Sequence, residues 1–214
     1  MKTLGVFGGT FDPVHLGHMK MIVEAQRILA LDELRVIPCH SPPHREQPRL
    51  NSQQRLELMQ VAVNHLDGVV VDDRELRRRG PSYTVDTLRE LRAEEGDEIS
   101  VILFIGSDAY ANLMHWHQWR ELPVLANIGI FSRPQYPLPE SGILAEWLKN
   151  SRVEQLKEQP AGAVVALRQM QMELSSTEIR RQLASGHLTE DLTPAVRELI
   201  KQRHYYNYRE PTAT

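Results

Sequence analysis

Short, continuous runs of apolar residues recur along the chain, and each is bounded by glycine, proline or charged residues. Runs of this length that are rich in Val and Ile are typical of buried strands. They predict strands over residues 3–8, 34–38, 69–71, 101–105, 128–131 and 163–167. The run 101–105 is apolar throughout, as expected for a central strand of a parallel sheet that is covered on both faces.

Between these runs, apolar residues recur at the spacing of an amphipathic helix. The first helix is predicted over residues 18–31, and its apolar stripe comprises Ile22, Val23, Ala25, Ile28 and Leu29. A second helix is predicted from Ser52, as its capping residue, to His65. Its apolar face carries Leu56, Met59, Val63 and Leu66.

Three further helices are predicted from the signals at their ends. Thr84 begins a helix that Gly96 ends, because glycine commonly follows the last turn of a helix. Ser175 and Glu178 have the spacing of a capping box. The Thr-Pro pair at 193–194 begins the last helix, since proline is tolerated in the first turn.

Strands and helices alternate through most of the chain, which favours an α/β fold with a doubly wound parallel sheet. No internal repeat or clear boundary is visible, so residues 1–214 are predicted to form a single domain. Residues 133–160 contain several prolines and look irregular around Trp147, so we expect a peripheral excursion there.

Composition and charge narrow the functional classes. Hydrophobic residues make up 41% and charged residues 25% of the 214 residues, as is typical of soluble globular proteins. The formal charge of −3 argues against a basic surface for nucleic acid. No apolar run is long enough to span a membrane, and the N-terminus does not resemble a signal peptide. Cys39 is the only cysteine, so no internal disulfide can form, and a cytoplasmic location is expected.

The sequence GGTFDPVHLGH, residues 8–18, joins the first predicted strand to the first helix. Gly8 and Gly9 let the backbone approach a ligand without a Cβ in the way. His15 and His18 flank the start of the helix, where first-turn amides and the helix dipole favour an anion. Imidazole N–H groups suit phosphate oxygens, so the combination predicts a phosphate site. A glycine pair alone is more often an ordinary tight turn.

Other known motifs fit this segment less well. The two histidines lie three residues apart, without the further ligands that a zinc site requires. The segment also lacks the spacing of a dinucleotide-binding GxGxxG and the Gly-Lys-Ser/Thr of a P-loop.

A second candidate anion site lies in ELSSTEIRRQL, residues 173–183. Ser175 and Thr177 offer hydroxyl donors at a helix start, and Arg180 adds a charged, forked donor one turn later. Alone, this pattern is more often an ordinary capping box with a solvated arginine. Its presence together with the first motif favours a phosphate site.

Three other segments carry candidate binding groups. The loop IPCHSPPHR, residues 37–45, is stiffened by two adjacent prolines. PSYT, residues 81–84, precedes a helix, so its amides form a small anion site. Residues 106–108 follow the long apolar strand, at the sheet edge where ligands of open α/β folds bind. Trp116 taken alone is more often a core residue than a ligand contact.

The first motif closely resembles the signature of the HxGH nucleotidylyltransferases. The later motifs narrow the resemblance to the bacterial nicotinate-mononucleotide adenylyltransferases, and it extends from the first strand to Leu199. The resemblance implies a Rossmann-like fold and an enzyme that transfers the adenylyl group of ATP to nicotinate mononucleotide. The products would be pyrophosphate and nicotinate adenine dinucleotide, a precursor of NAD.

The resemblance also implies a role for individual residues. The implied catalytic residues are His15, His18 and Arg180. The implied ATP-binding residues are Gly8, Gly9, Thr10, Phe11, Gly106, Asp108, Arg133, Ser175 and Thr177. The implied acceptor-binding residues are His44, Arg45, Tyr83, Thr84 and Trp116. Mg²⁺ would be carried mainly by the triphosphate oxygens, with no protein side chain as a metal ligand.

The sequence departs from this family at one pair of positions, and two alternative functions remain open. Cys39 and His40 stand where most members of this family have two asparagines. A related HxGH transferase could instead use pantetheine phosphate or nicotinamide mononucleotide as acceptor. A catalytically idle nucleotide sensor is the alternative from a different functional class.

Overall fold

The computed structural model describes residues 1–42, 47–133, 135–167 and 174–209. Within these ranges the chain forms a six-stranded sheet with helices on both faces. The strands are β1 Thr3–Gly9, β2 Glu33–Pro38, β3 Val69–Val71, β4 Ser100–Gly106, β5 Asn127–Phe131 and β6 Val164–Leu167. The predicted strands are all confirmed, and their ends differ by at most one residue from those predicted.

The helices connect and flank these strands. They are α1 Leu16–Leu29, α2 Ser52–Val63, α3 Arg74–Arg77, α4 Thr84–Glu95, α5 Ser107–Ala111, α6 Leu122–Leu125, α7 Ile143–Lys149, α8 Gln155–Glu158, α9 Ser176–Ala184 and α10 Pro194–Arg203. Short 3-10 turns lie at Leu113–His115, Trp119–Glu121 and Tyr205–Asn207. The predicted limits of α4 and the predicted start of α10 are confirmed. In the described part of the chain, no helix is both long and apolar enough to cross a membrane.

The strands are all parallel and lie in the order β3-β2-β1-β4-β5-β6. The direction of winding reverses between β1 and β4, whose pairing extends from Thr3 with Ser100 to Val6 with Leu103. Ligands of doubly wound sheets bind at such a reversal, outside the carboxyl ends of the strands. The confirmed fold therefore places the segments that follow β1 and β4 beside one crevice.

Apolar side chains fill the space between the sheet and the helices on each face. On one face, Phe7, Phe104 and Phe131 belong to a buried cluster that includes residues of α1, α2, α9 and α10. On the other face, Leu103 and Ile128 belong to a second cluster with residues of α4 and α7. The sheet is thus covered on both sides, which agrees with the apolar character of its central strands.

Helix α1 begins at Leu16, two residues earlier than predicted, because His15 caps it. The predicted apolar stripe is also corrected at Val23, which is 43% exposed. Val23 follows the fully buried Ile22 by one position, and consecutive helical residues point about 100° apart.

Helix α2 is capped by Asn51 rather than by Ser52. The Asn51 side chain accepts a hydrogen bond from the Gln54 amide at 2.9 Å, and the Gln54 side chain accepts one from the Asn51 amide at 3.0 Å. This reciprocal capping box gives both the Asn51 amide and the Gln54 amide a hydrogen-bond acceptor, whereas a single serine cap would satisfy only one amide.

The expectation of an irregular excursion over residues 133–160 was wrong for 143–158. This stretch contains α7 and α8 and forms the connection between β5 and β6. Leu156 is fully buried, and the Leu144 carbonyl accepts a hydrogen bond from the Tyr110 hydroxyl at 2.7 Å. Because the segment covers the sheet with buried leucines, it contributes to the core.

Candidate active site

The tip of β1 turns sharply into the cleft. A Cβ added at Gly9 would lie 2.8 Å from the Phe11 ring, a distance that real contacts do not reach. Phe11 itself is buried, with a left-handed φ of 50°, and its ring lies edge-on to His18 with centroids 5.0 Å apart. Glycine at position 9 therefore allows the loop to fold back against the start of α1.

Helix α1 begins with a capping box made of two histidines. The His15 Nδ1 accepts a hydrogen bond from the Gly17 amide at 3.2 Å, and the His18 Nδ1 accepts one from the His15 amide at 3.3 Å. When Nδ1 is an acceptor, the proton of a neutral imidazole is on Nε2. Each neutral ring in the pair therefore has an Nε2–H donor.

The two imidazole rings are stacked, with centroids 3.8 Å apart. Burial lowers the pKa of His15 to about 4, and the positive charge of Arg133 acts in the same direction. His15 is therefore neutral at physiological pH and acts as a hydrogen-bond donor rather than as a cation.

Helix α9 brings the second predicted motif against the first. The Arg180 guanidinium donates to the main-chain oxygen of Asp12 at 2.7 Å and to the Thr177 hydroxyl at 3.1 Å. The Ser176 hydroxyl donates to the Pro13 carbonyl at 3.2 Å. Two segments that are far apart in sequence therefore meet at one place.

The predicted capping box of α9 is not formed. Ser175 occupies the capping position, but its side chain makes no capping hydrogen bond. The Glu178 carboxylate instead accepts from both Nε and an outer nitrogen of Arg181, at 2.9 and 2.6 Å. A forked, charge-assisted pair is stronger than a bond to a neutral amide, so it takes the carboxylate away from the cap.

Gly106, Asp108 and Arg133 form another part of the cleft wall. A Cβ at Gly106 would collide with the Asp108 Oδ1 and lie 3.2 Å from the Arg133 Nε. An outer nitrogen of the Arg133 guanidinium lies 3.6 Å from the Asp108 Oδ1. Within the described ranges, the buried Oδ1 of Asp108 has no hydrogen-bond partner, so it is available to accept from a ligand hydroxyl.

The start of α4 carries the predicted acceptor residues Tyr83 and Thr84. No side chain caps this helix start. The Tyr83 ring stacks on the exposed His117, with ring centroids 4.2 Å apart. Tyr83 and the half-buried Trp116 both pack against the apolar cluster that includes residues of α4 and α7. His117 was not predicted from the sequence. The predicted residues His44 and Arg45 lie outside the described residues.

Arg55 of α2, which is only 1% exposed, was not predicted from the sequence. Its guanidinium donates to the main-chain oxygens of Thr10 at 2.7 Å and Cys39 at 2.6 Å. It also bonds the oxygens of Leu50 at 3.3 Å and His40 at 3.2 Å. One buried side chain thus ties the tip of β1 to both ends of the loop that follows β2.

Cys39 and His40 are held by contacts with Thr10, Ser82 and Ser52. Burial raises the pKa of the Cys39 thiol, whose Sγ lies 3.8 Å from the Thr10 hydroxyl. The His40 amide donates to the Ser82 hydroxyl at 2.9 Å, and the His40 ring contacts the Ser52 hydroxyl at 3.1 Å. The pair therefore links the tip of β1 to the residues just before α4.

The histidine pair of α1, the start of α9, the start of α4 and the segment that follows β4 face one open cleft of about 2240 Å³. Every predicted site residue that the structure describes lines it: Gly8, Gly9, Thr10, Phe11, His15, His18, Tyr83, Thr84, Gly106, Asp108, Trp116, Arg133, Ser175, Thr177 and Arg180. Among the described residues, no group of three or more His, Cys, Asp or Glu side chains could hold a metal ion.

Comparison with known proteins identifies the family. The cytidylyltransferase-like family matches residues 6–182. A probable nicotinate-nucleotide adenylyltransferase from Methylococcus capsulatus is 43% identical over 208 residues, which cover 95% of this chain and 99% of the relative. One from Cellvibrio japonicus is 40% identical over 207 residues, with 95% and 98% covered. The chain belongs to the nicotinate-nucleotide adenylyltransferase family.

A solved structure confirms the fold. The nicotinic acid mononucleotide adenylyltransferase of Plasmodium falciparum, complexed with APC, aligns with a TM-score of 0.75. The alignment covers 98% of this chain and 99% of that chain at 16% identity. The family membership and the fold implied by the sequence motifs are therefore both confirmed.

Proposed function

We propose that the protein transfers the adenylyl group of ATP to nicotinate mononucleotide. The observation that carries this proposal is the single cleft in which the HxGH segment, the start of α9 and the start of α4 converge. Relatives that are about 40% identical over nearly the whole chain bear the name of this activity.

The triphosphate would lie between α1 and α9. His15 and His18 supply imidazole donors, while Arg180, with Ser175 and Thr177, supplies charge and hydroxyl donors. Since His15 is neutral, Arg180 provides fixed positive charge at this place. Mg²⁺ would enter as part of the substrate, held mainly by the oxygens of ATP.

The adenosine would lie against the wall formed by Gly106, Asp108 and Arg133. The Oδ1 of Asp108, which has no hydrogen-bond partner among the described residues, suits a ribose hydroxyl, which is a donor. The lack of a side chain at Gly106 leaves space for this carboxylate.

The acceptor would lie at the start of α4, with its pyridine ring beside Tyr83 and Trp116. The amides of Tyr83 and Thr84 suit a carboxylate, because both oxygens of a carboxylate are acceptors. The NH2 group of an amide would face N–H donors there, and an unpaired buried polar group costs about 1–3 kcal/mol. His44 and Arg45 are proposed to hold the acceptor phosphate.

The reaction would be a direct in-line displacement. An oxygen of the acceptor phosphate forms a bond to the α-phosphorus of ATP, and the bond from that phosphorus to the bridging oxygen of the β-phosphate breaks. The electron pair of this bond leaves with pyrophosphate. Such transfers depend on positioning and charge stabilisation, and they require no nucleophile from the protein.

The direct test is pyrophosphate release from ATP with nicotinate mononucleotide, with nicotinamide mononucleotide, or with no acceptor. We expect release with the acid, together with a product of the mass of nicotinate adenine dinucleotide. Equal rates with the acid and the amide would contradict the assignment of Tyr83 and Thr84. Binding of ATP without release under any condition would instead support a nucleotide sensor.

A further inference from the structure

The last turn of the described chain reaches the candidate active site through Tyr206. The Tyr206 hydroxyl donates to the Asp12 Oδ1 at 2.9 Å, although the two residues are 194 positions apart. Tyr206 is 8% exposed and belongs to the apolar cluster on the α1 side of the sheet. Burial, reinforced by the Asp12 carboxylate, raises its pKa well above the usual value, so the hydroxyl stays protonated and donates.

Asp12 in turn connects two other segments, the loop before α2 and helix α9. Its carboxylate accepts from the Arg49 amide at 2.8 Å and from the Leu50 amide at 3.3 Å. Its main-chain oxygen accepts from Arg180 at 2.7 Å, and its Oδ2 lies 3.7 Å from the same guanidinium. The placement of Arg180 therefore depends directly on the placement of Asp12.

The backbone around Tyr206 adopts an uncommon conformation. Tyr206 has φ 58° and ψ 24°, and His204, two residues earlier, is also left-handed, with φ 53°. Bulky residues rarely adopt this region, and they do so where the surrounding structure over-determines it. Here the left-handed turn directs the tyrosine hydroxyl to Asp12.

We propose that Tyr206 is a positioning residue, whose hydroxyl fixes Asp12 and thereby holds the Arg180 guanidinium at the triphosphate site. The inference rests on the proposed function, since it takes Arg180 to act on the triphosphate. It assigns a role to the C-terminal HYYNYR segment, residues 204–209, for which the sequence motifs imply none.

The adjacent tyrosine provides a matched control. Tyr205 also donates its hydroxyl to a carboxylate, but the acceptor is Glu57 on α2, at 2.6 Å. Tyr206→Phe should lower kcat about 10-fold, because small displacements of a charge-stabilising group are costly, and should leave the KM for the acceptor unchanged. Tyr205→Phe should keep kcat within about twofold. Thermal unfolding of both variants measures any general loss of stability.

A double-mutant cycle separates positioning from a purely structural role. In an Arg180→Ala background, Tyr206→Phe should cause no further loss of kcat. An equal loss in both backgrounds would overturn the inference. A normal kcat in Arg180→Ala would instead refute the proposed function of Arg180. A reduced kcat in Arg180→Ala together with a normal kcat in Tyr206→Phe would refute only the role of Tyr206.

Asp12→Ala keeps the design informative if Tyr206→Phe fails to fold. This variant retains the main-chain oxygen that contacts Arg180, but it removes the carboxylate that Tyr206 holds. It should show at least a similar loss of kcat, with a similar KM for the acceptor. A normal kcat in Asp12→Ala would overturn the inference.

Discussion

His15 and His18 cap the same helix and stack on each other, with ring centroids 3.8 Å apart. Each offers its Nδ1 to an amide of this turn, so the hydrogen bonds that begin α1 also set the orientation of both rings. Helix capping and the presentation of imidazole donors are therefore one structural feature, which couples the start of α1 to the proposed chemistry.

Replacing His18 should strongly reduce turnover. Loss of one preorganised donor to a developing charge costs about 10²- to 10³-fold in kcat. His18→Ala should show a loss in this range in a pyrophosphate-release assay. His65 is exposed and lies outside the cleft, so His65→Ala is the control and should have normal activity. Near-normal turnover of His18→Ala would remove His18 from the mechanism.

The depressed pKa of His15 predicts a pH dependence of stability. Because the pKa falls from 6.5 to about 4 on folding, the unfolded chain takes up a proton first as the pH drops. The His15 contribution to the free energy of unfolding is therefore complete above pH 6.5 and decreases as the pH falls toward 4. The loss amounts to about 3 kcal/mol at low pH.

Urea unfolding of the wild type and of His15→Asn between pH 7.5 and pH 4.5 measures this contribution. Asparagine keeps a capping acceptor but does not titrate in this range. As the pH falls, the free energy of unfolding of the wild type should decrease relative to that of the variant. A difference that is constant over the whole range would show that His15 titrates normally.

Replacing Arg55 should destabilise the protein. Arg55→Met would leave several buried main-chain oxygens without a donor, and each such loss costs about 1–3 kcal/mol. Arg55→Lys should restore little, because an ammonium group cannot reproduce the forked geometry. The exposed Arg27, which pairs with Glu24 on the surface, provides a control whose change to Met should have a small effect. Equal melting temperatures for the Arg55 and Arg27 variants would contradict the role of Arg55.

Replacing Gly106 should selectively weaken ATP binding. An added Cβ forces the Asp108 carboxylate to move and crowds the Arg133 guanidinium. In Gly106→Ala, the KM for ATP should rise about 10-fold, by analogy with the loss of a charge-assisted hydrogen bond, while the KM for the acceptor stays unchanged. Steady-state rates with each substrate varied in turn check this. Parallel rises in both constants would indicate general damage to the cleft.

Much of the fold could be predicted because its strands are short apolar runs with clear boundaries. The run 101–105 is buried on both faces and was recognisable from its composition alone. The sequence also indicated the two candidate phosphate motifs, whose residues line one cleft, since their residue types and positions at helix starts suit an anion. Their meeting at Asp12 and Arg180 could not be derived from spacing, because a 168-residue separation contains no distance information.

Arg55 and Tyr206 were missed for different physical reasons. Arg55 lies on the buried face of α2 with Leu58, Met59 and Ala62, so a charged residue within an apolar stripe was the available signal. Tyr206 gave no comparable signal, since its role depends on a left-handed turn after α10. Local sequence patterns do not show which distant carboxylate such a turn will reach.

The most direct test of the central claim is the binding of inorganic tripolyphosphate to the full chain, measured by calorimetry. If α1 and α9 grip the same triphosphate, His18→Ala and Arg180→Ala should each weaken binding by about 10-fold or more, as expected for loss of a hydrogen bond to a charged group. Arg89→Ala, which alters an exposed arginine outside the cleft, should bind like the wild type. Unchanged affinity in either His18→Ala or Arg180→Ala would contradict a shared triphosphate site.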